Sequence, residues 1–151
     1  MIPILDAIES GAWLTAEYES DDNPIRFRLR LTGFSRIDLA AIDGCENLKF
    51  GVSRNVWRLG LDVVNLWKRE VPHYVVERHL VIVDQDGFEF KILEDNHLRL
   101  NSDYAETSGL RTFFPIDFPP KIKRSGAYPF ELPDEFDVLF LAVRHGDLRE
   151  A

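Results

Sequence analysis

Residues 25–31 read Ile-Arg-Phe-Arg-Leu-Arg-Leu, and this stretch decides the fold class. Side chains of an extended chain alternate between faces, so Ile25, Phe27, Leu29 and Leu31 share one face while Arg26, Arg28 and Arg30 share the other. The stretch is a half-buried strand. Upstream, Leu14, Ala16 and Tyr18 alternate with Thr15, Glu17 and Glu19, and the intervening Asp21-Asp22-Asn23-Pro24 consists of turn formers. The two segments are expected to pair as a hairpin. A loop over 21–24 sets Tyr18 opposite Phe27, Ala16 opposite Leu29 and Leu14 opposite Leu31, an apolar face throughout. The same register sets Glu19 opposite Arg26, Glu17 opposite Arg28 and Thr15 opposite Arg30. Two arginines then face carboxylates and have little free charge to offer phosphate.

The alternation recurs along the chain. From Val56 onward Trp57, Leu59, Leu61 and Val63 alternate with Arg58, Gly60, Asp62 and Val64, so the former are expected in the core and Arg58 and Asp62 away from it. Leu80 to Val83, then Asp84-Gln85-Asp86-Gly87, then Phe88 to Ile92 form a hairpin signal in which Gly87 takes positive φ. Further strands are expected at Ala127 to Leu132 and Val138 to Val143, and a short one at Leu48 to Phe50 inside an otherwise loop-like 35–55. Ile4 to Ser10 reads either as a short helical turn ended by Gly11 or as a first strand. Residues 93–120 are irregular, and the prolines of Phe113-Phe-Pro-Ile-Asp-Phe-Pro-Pro120 rule out a central strand. Short strands with little helical periodicity indicate an all-β fold, a sandwich in preference to a barrel.

The chain has 151 residues and is 45% hydrophobic, enough for one domain to bury a core without a disulfide or metal. Cys45 is the only cysteine, so an intrachain disulfide is impossible and a cytoplasmic location is expected. Met1-Ile-Pro-Ile-Leu-Asp6 lacks the basic and apolar regions of a signal peptide, and no stretch reaches the ~20 apolar residues that would insert in a membrane. The net charge of −8 argues against nucleic acid as a partner.

From about Asn47 to Gly146 the order of features resembles the immunoglobulin-like, telokin-like domains of many uncharacterised bacterial proteins. The resemblance rests on Trp57-Arg-Leu-Gly-Leu-Asp-Val-Val-Asn65, Leu80-Val-Ile-Val-Asp-Gln-Asp-Gly87, Lys121-Ile-Lys-Arg-Ser-Gly126 and Phe130-Glu-Leu-Pro133. It implies an immunoglobulin-like antiparallel two-sheet sandwich without cofactor or catalytic residues. Residues 1–151 are then a single domain, with 1–45 an amino-terminal hairpin extension packed on it.

No motif carries chemistry. His73, His79, His97 and His145 lie far apart and form no metal-ligand pair, so they read as loop or rim residues. Nothing around Cys45 suggests a lowered pKa, and a lone cysteine is usually a small apolar core residue. Asp84, Asp86 and Glu89 lack the closing glutamate of a helix-flanked calcium loop and read as a solvated turn. Glu94-Asp95 and Asp134-Glu135 are adjacent carboxylates that point apart, unlike a glycosidase pair. Nucleophile elbow, phosphate-cradling loop and dinucleotide fingerprint are absent.

Two features suit a partner. Lys121, Lys123 and Arg124 form the densest basic run, and Phe113, Phe114 and Phe118 mark a loop that either folds back over the core or presents an apolar patch. The expectation is a non-enzymatic module that binds a protein partner, or itself, through loops 101–120 and a sheet edge. The alternatives are an acidic immunity-type inhibitor of a basic toxin and a hydrolase or metal-dependent enzyme whose site only the fold assembles.

Overall fold

The computed structural model describes residues 1–19, 24–38, 55–93, 113 and 117–150. The decisive stretch forms β3 (Ile25–Arg36), flanked in the same sheet by β2 (Leu14–Tyr18) and β4 (Val56–Asn65). Around them come β1 (Ile2–Pro3), α1 (Ile4–Ser10), α2 (His73–His79), β5 (Leu80–Val83), β6 (Glu89–Lys91), β7 (Lys123–Glu131), β8 (Phe140–Val143) and β9 (Gly146–Glu150). The strands make two antiparallel sheets, one ordered β1-β8-β5-β6 and the other β7-β4-β3-β2-β9. The molecule is a β-sandwich.

The core lies between the sheets. Phe27, Leu29 and Leu31 of β3 and Leu59, Leu61 and Val63 of β4 are buried there, as the alternation requires, with Leu14, Ala16 and Tyr18 of β2 alongside. Trp57 stays half-buried at the start of β4. Asp62 faces away from the core and is nevertheless buried, beneath Arg30 and Ser125.

Four expectations need correction. The hairpin register is Leu14↔Leu29, Ala16↔Phe27, Glu17↔Arg26 and Tyr18↔Ile25, a slip of two residues that keeps every side chain on its expected face. The hairpin is no extension packed on a sandwich, because β2 and β3 are interior strands of the five-stranded sheet. Residues 73–79 are helical, in a chain that showed hardly any helical periodicity. Phe113 and Phe118 are wholly buried among Phe27 and Tyr128, so they are core residues and not partner contacts. Phe118 is anchored by paired backbone bonds with Val71, and Asn65 Nδ2 donates to its carbonyl at 2.9 Å. Phe114, loop 101–112, Cys45, His97, Glu94, Asp95 and the strand expected at 48–50 lie outside the described residues.

Two glycines hold the turns read from sequence. Gly11 ends α1 at φ 65° with its N–H donating to the Ala7 carbonyl at 3.1 Å, and Gly87 sits at φ 88° between β5 and β6. Asp84 Oδ1 accepts from the amides of Asp86 and Phe88 at 3.0 and 2.9 Å. The acidic turn therefore spends its buried carboxylate on its own backbone.

Candidate functional site: an apolar cleft beside the bulge of β3

The pairing of β3 with β4 changes register between Leu31 and Gly33. One extra residue in a strand flips the parity of everything beyond it. Without the bulge, Phe34 would join the arginines on the outer face; with it, Phe34 lies opposite Leu59 on the inner side. There its ring stacks on Trp57 at 4.8 Å between centroids and 21° between planes. Phe136 packs edge-on against the same indole at 5.6 Å and 73°.

Trp57 is held from behind. Its Nε1 donates to Asn55 Oδ1 at 3.1 Å, and Asn55 in turn donates from Nδ2 to the Pro133 carbonyl at 2.8 Å. The backbone carbonyl of Asn55 accepts from the Leu132 amide at 2.9 Å. This buried side chain ties the start of β4 to the end of β7 and fixes the indole plane.

The opposite wall comes from the amino terminus. Pro3 precedes α1 with extended backbone, and the Ile4 amide donates to the Leu139 carbonyl at 3.0 Å, fastening the first helical turn to the segment before β8. Pro3, Ile4, Leu5, Val138, Leu139 and Phe140 complete a cleft of about 640 Å³, with Asp6 and Asp137 also on its lining. Met1, Leu5 and Val138 are 70%, 69% and 45% exposed. Exposed Leu5 and Val138 beside an aromatic hollow, with Asp6 and Asp137 on the same lining, make the cleft a candidate binding surface.

The outer face of the five-stranded sheet is different in kind. Arg26 donates from Nε and Nη2 to Glu17 Oε2 at 3.1 and 3.0 Å. Arg28 and Arg30 lie over the Trp13 ring at 4.8 and 4.7 Å. Arg30 also meets Asp62 Oδ2 at 2.6 Å, while Ser125 donates to Asp62 Oδ1 at 2.6 Å. Burial works against the charged form of Asp62, but the bonds from Ser125 and Arg30 and the charges of Arg30 and Lys123 outweigh it and hold the carboxyl below its ordinary range. Each arginine of the stripe has a partner on this face: Glu17 for Arg26, Trp13 for Arg28, and Trp13 with Asp62 for Arg30.

The other sequence candidates are scattered. Lys121, Lys123 and Arg124 are exposed around the turn into β7, where Lys121 adopts φ 61° and its amide donates to the Asn65 carbonyl. None of the three lines the cleft. His73 contacts Asp117, His79 Nδ1 lies 2.9 Å from the Arg144 carbonyl oxygen, and His145 occupies the positive-φ turn between β8 and β9. Bonds from the backbone and ring of His73 lower the Asp117 pKa. Among the described residues no three His, Cys, Asp or Glu side chains gather to hold a metal, and no helix is long and apolar enough to cross a membrane.

Sequence reasoning missed the cleft because its walls come from residues 3–6, 34, 57 and 136–140. A signal existed at Gly33, where the alternation of β3 breaks one residue before an aromatic.

By architecture the chain belongs with antiparallel two-sheet sandwiches. Among solved structures it is similar to MPT63, a secreted protein from Mycobacterium tuberculosis, with a TM-score of 0.50 and 13% identity over 84% of each chain. At that identity the likeness concerns the fold alone. No family model matches the chain, and no curated protein sequence matches it.

Proposed function

We propose that this chain is a non-enzymatic binding module that takes an apolar segment of a protein partner into the cleft of Phe34, Trp57 and Phe136. Basic residues flanking that segment meet Asp6 and Asp137. The observation that carries the reading is the conjunction of an aromatic hollow with exposed Leu5 and Val138 and an acidic rim. A net charge of −8 steers a basic partner toward it. This moves the contact away from Phe113 and Phe118, which the core consumes.

An immunity-type inhibitor of a basic toxin is the special case in which that partner is a toxin, and the acidic rim favours it. The hydrolase or metal-dependent alternative has no observation in its favour among the described residues. The telokin-like affiliation and the cytoplasmic location belong to the same proposal. The first rests on the order of motifs and the second on cysteine usage; MPT63 is itself described as secreted.

Tryptophan fluorescence with two model peptides tests the reading. Lys-Leu-Phe-Leu-Lys should bind about tenfold or more tighter than Glu-Leu-Phe-Leu-Glu. The double variant Leu5→Asp, Val138→Asp should lose that binding while the protein stays folded, since neither side chain belongs to the buried core. Equal binding of the two peptides, or wild-type binding by the variant, would overturn the proposal.

A further inference from the structure

A β-sandwich leaves four sheet edges, and three of them are encumbered here. β1 is two residues long and includes Pro3. β6 and β7 approach one another through the Ile92↔Phe130 bridge, and the Leu93 amide donates to the Pro129 carbonyl at 2.8 Å. β9 closes the five-stranded sheet with β2 on one side, and among the described residues no strand pairs with its other side.

The pattern on that free edge follows from the ladder. The Glu19 amide donates to the His145 carbonyl, and the register pairs Glu17 with Asp147 and Thr15 with Arg149. Odd-numbered residues of this segment therefore turn their amides and carbonyls toward β2. Alternation turns those of Gly146, Leu148 and Glu150 outward. The side chains of Asp147 and Arg149 stand on the outer face, bonded to each other at 2.6 Å, while Leu148 is buried beneath the sheet.

We propose that the occupant of this edge is the β9 strand of a second copy of the chain, antiparallel about a two-fold axis at Leu148. The inference goes beyond the cleft and does not depend on it. Only outward groups can hydrogen-bond across such an axis, so Leu148 must face its own copy or lie two residues from doing so. The three available registers differ in charge. Pairing centred on residue 147 sets two aspartates face to face, and pairing centred on residue 149 sets two arginines face to face. Pairing centred on Leu148 sets Asp147 opposite the other copy's Arg149 twice, a square of alternating charges. The short sequence Gly146-Asp-Leu-Arg-Glu150 is thus self-complementary in charge and in hydrogen bonding at the same register. The product is a continuous sheet running through both copies, with the two clefts on separate protomers.

Sedimentation velocity from about 1 μM to about 1 mM should show a monomer–dimer equilibrium. Asp147→Arg sets guanidinium groups opposite each other and should weaken association about tenfold or more. It leaves folding intact, since position 147 lies opposite Glu17 within the sheet. The double variant Asp147→Arg, Arg149→Asp restores unlike pairs and should restore the dimer. In wild-type protein, hydrogen exchange at the Leu148 amide should slow as concentration rises, while the Asp147 and Arg149 amides stay protected throughout. A monomer at every concentration would overturn the proposal, and so would a dimer indifferent to the single variant or a Leu148 amide whose exchange ignores concentration.

Discussion

β3 and β4 carry two surfaces a few residues apart that handle their side chains in opposite ways. Along Arg26, Arg28 and Arg30 each charge is answered on the same face by Glu17, Trp13 or Asp62. Past the bulge at Gly33 the same strands present Phe34 and Trp57 to an open cleft flanked by exposed Leu5 and Val138. The conspicuous charged stripe is internally satisfied, whereas the inconspicuous apolar hollow is not. An apolar partner segment has more to gain at the hollow than over the stripe, where the arginines already have partners.

The largest expected effect comes from the wall shared by both surfaces. Leu61 is fully buried behind the stripe, and Leu61→Ala should cost about 2–5 kcal/mol in denaturant unfolding. A loss below ~1 kcal/mol would mean that the inner face is not packed as described.

Next comes the buried anchor of the stripe. Asp62→Asn keeps the volume and removes the ion pair, so it should cost about 1–3 kcal/mol at neutral pH. Because the folded carboxyl is held below its unfolded value of about 3.9, its contribution is fully present above that pH and fades as pH falls through the lower folded value. The variant should therefore be penalised at pH 7 and converge on wild type in acid. A constant gap between the two stability curves would contradict the pairing of an ionised Asp62 with Arg30.

Trp13→Ala should have the smallest effect, about 0.5–2 kcal/mol, since the indole serves as a platform for two partly hydrated guanidinium groups. Peptide binding at the cleft should be unaffected by it. A change there would show that the two surfaces are coupled.

Much of this was legible in the chain. A period of two gave β2, β3 and the start and end of β4 their faces, and Gly11 and Gly87 marked their turns through positive φ. The register was not legible, because a two-residue slip preserves every face and only tertiary partners such as Trp13 and Asp62 discriminate against it. β9 escaped because Leu148 is its only buried residue and five residues with one apolar position show no alternation. α2 escaped because Val75 and Val76 argue for strand locally, while burial of Val76 and Glu77 on one side of a two-turn helix decides otherwise. The cleft depends on a bulge that turns Phe34 inward and on the meeting of residues 3–6, 57 and 136–140 around it, which no local pattern encodes.

Chemical-shift mapping of isotope-labelled protein titrated with Lys-Leu-Phe-Leu-Lys sets the two surfaces against each other in one measurement. Perturbations should concentrate at Leu5, Phe34, Trp57, Phe136 and Val138, with Arg26, Arg28, Arg30 and the Lys121 to Arg124 turn unmoved. Perturbations centred on the arginine face or on that basic turn, with the cleft silent, would contradict binding at the cleft.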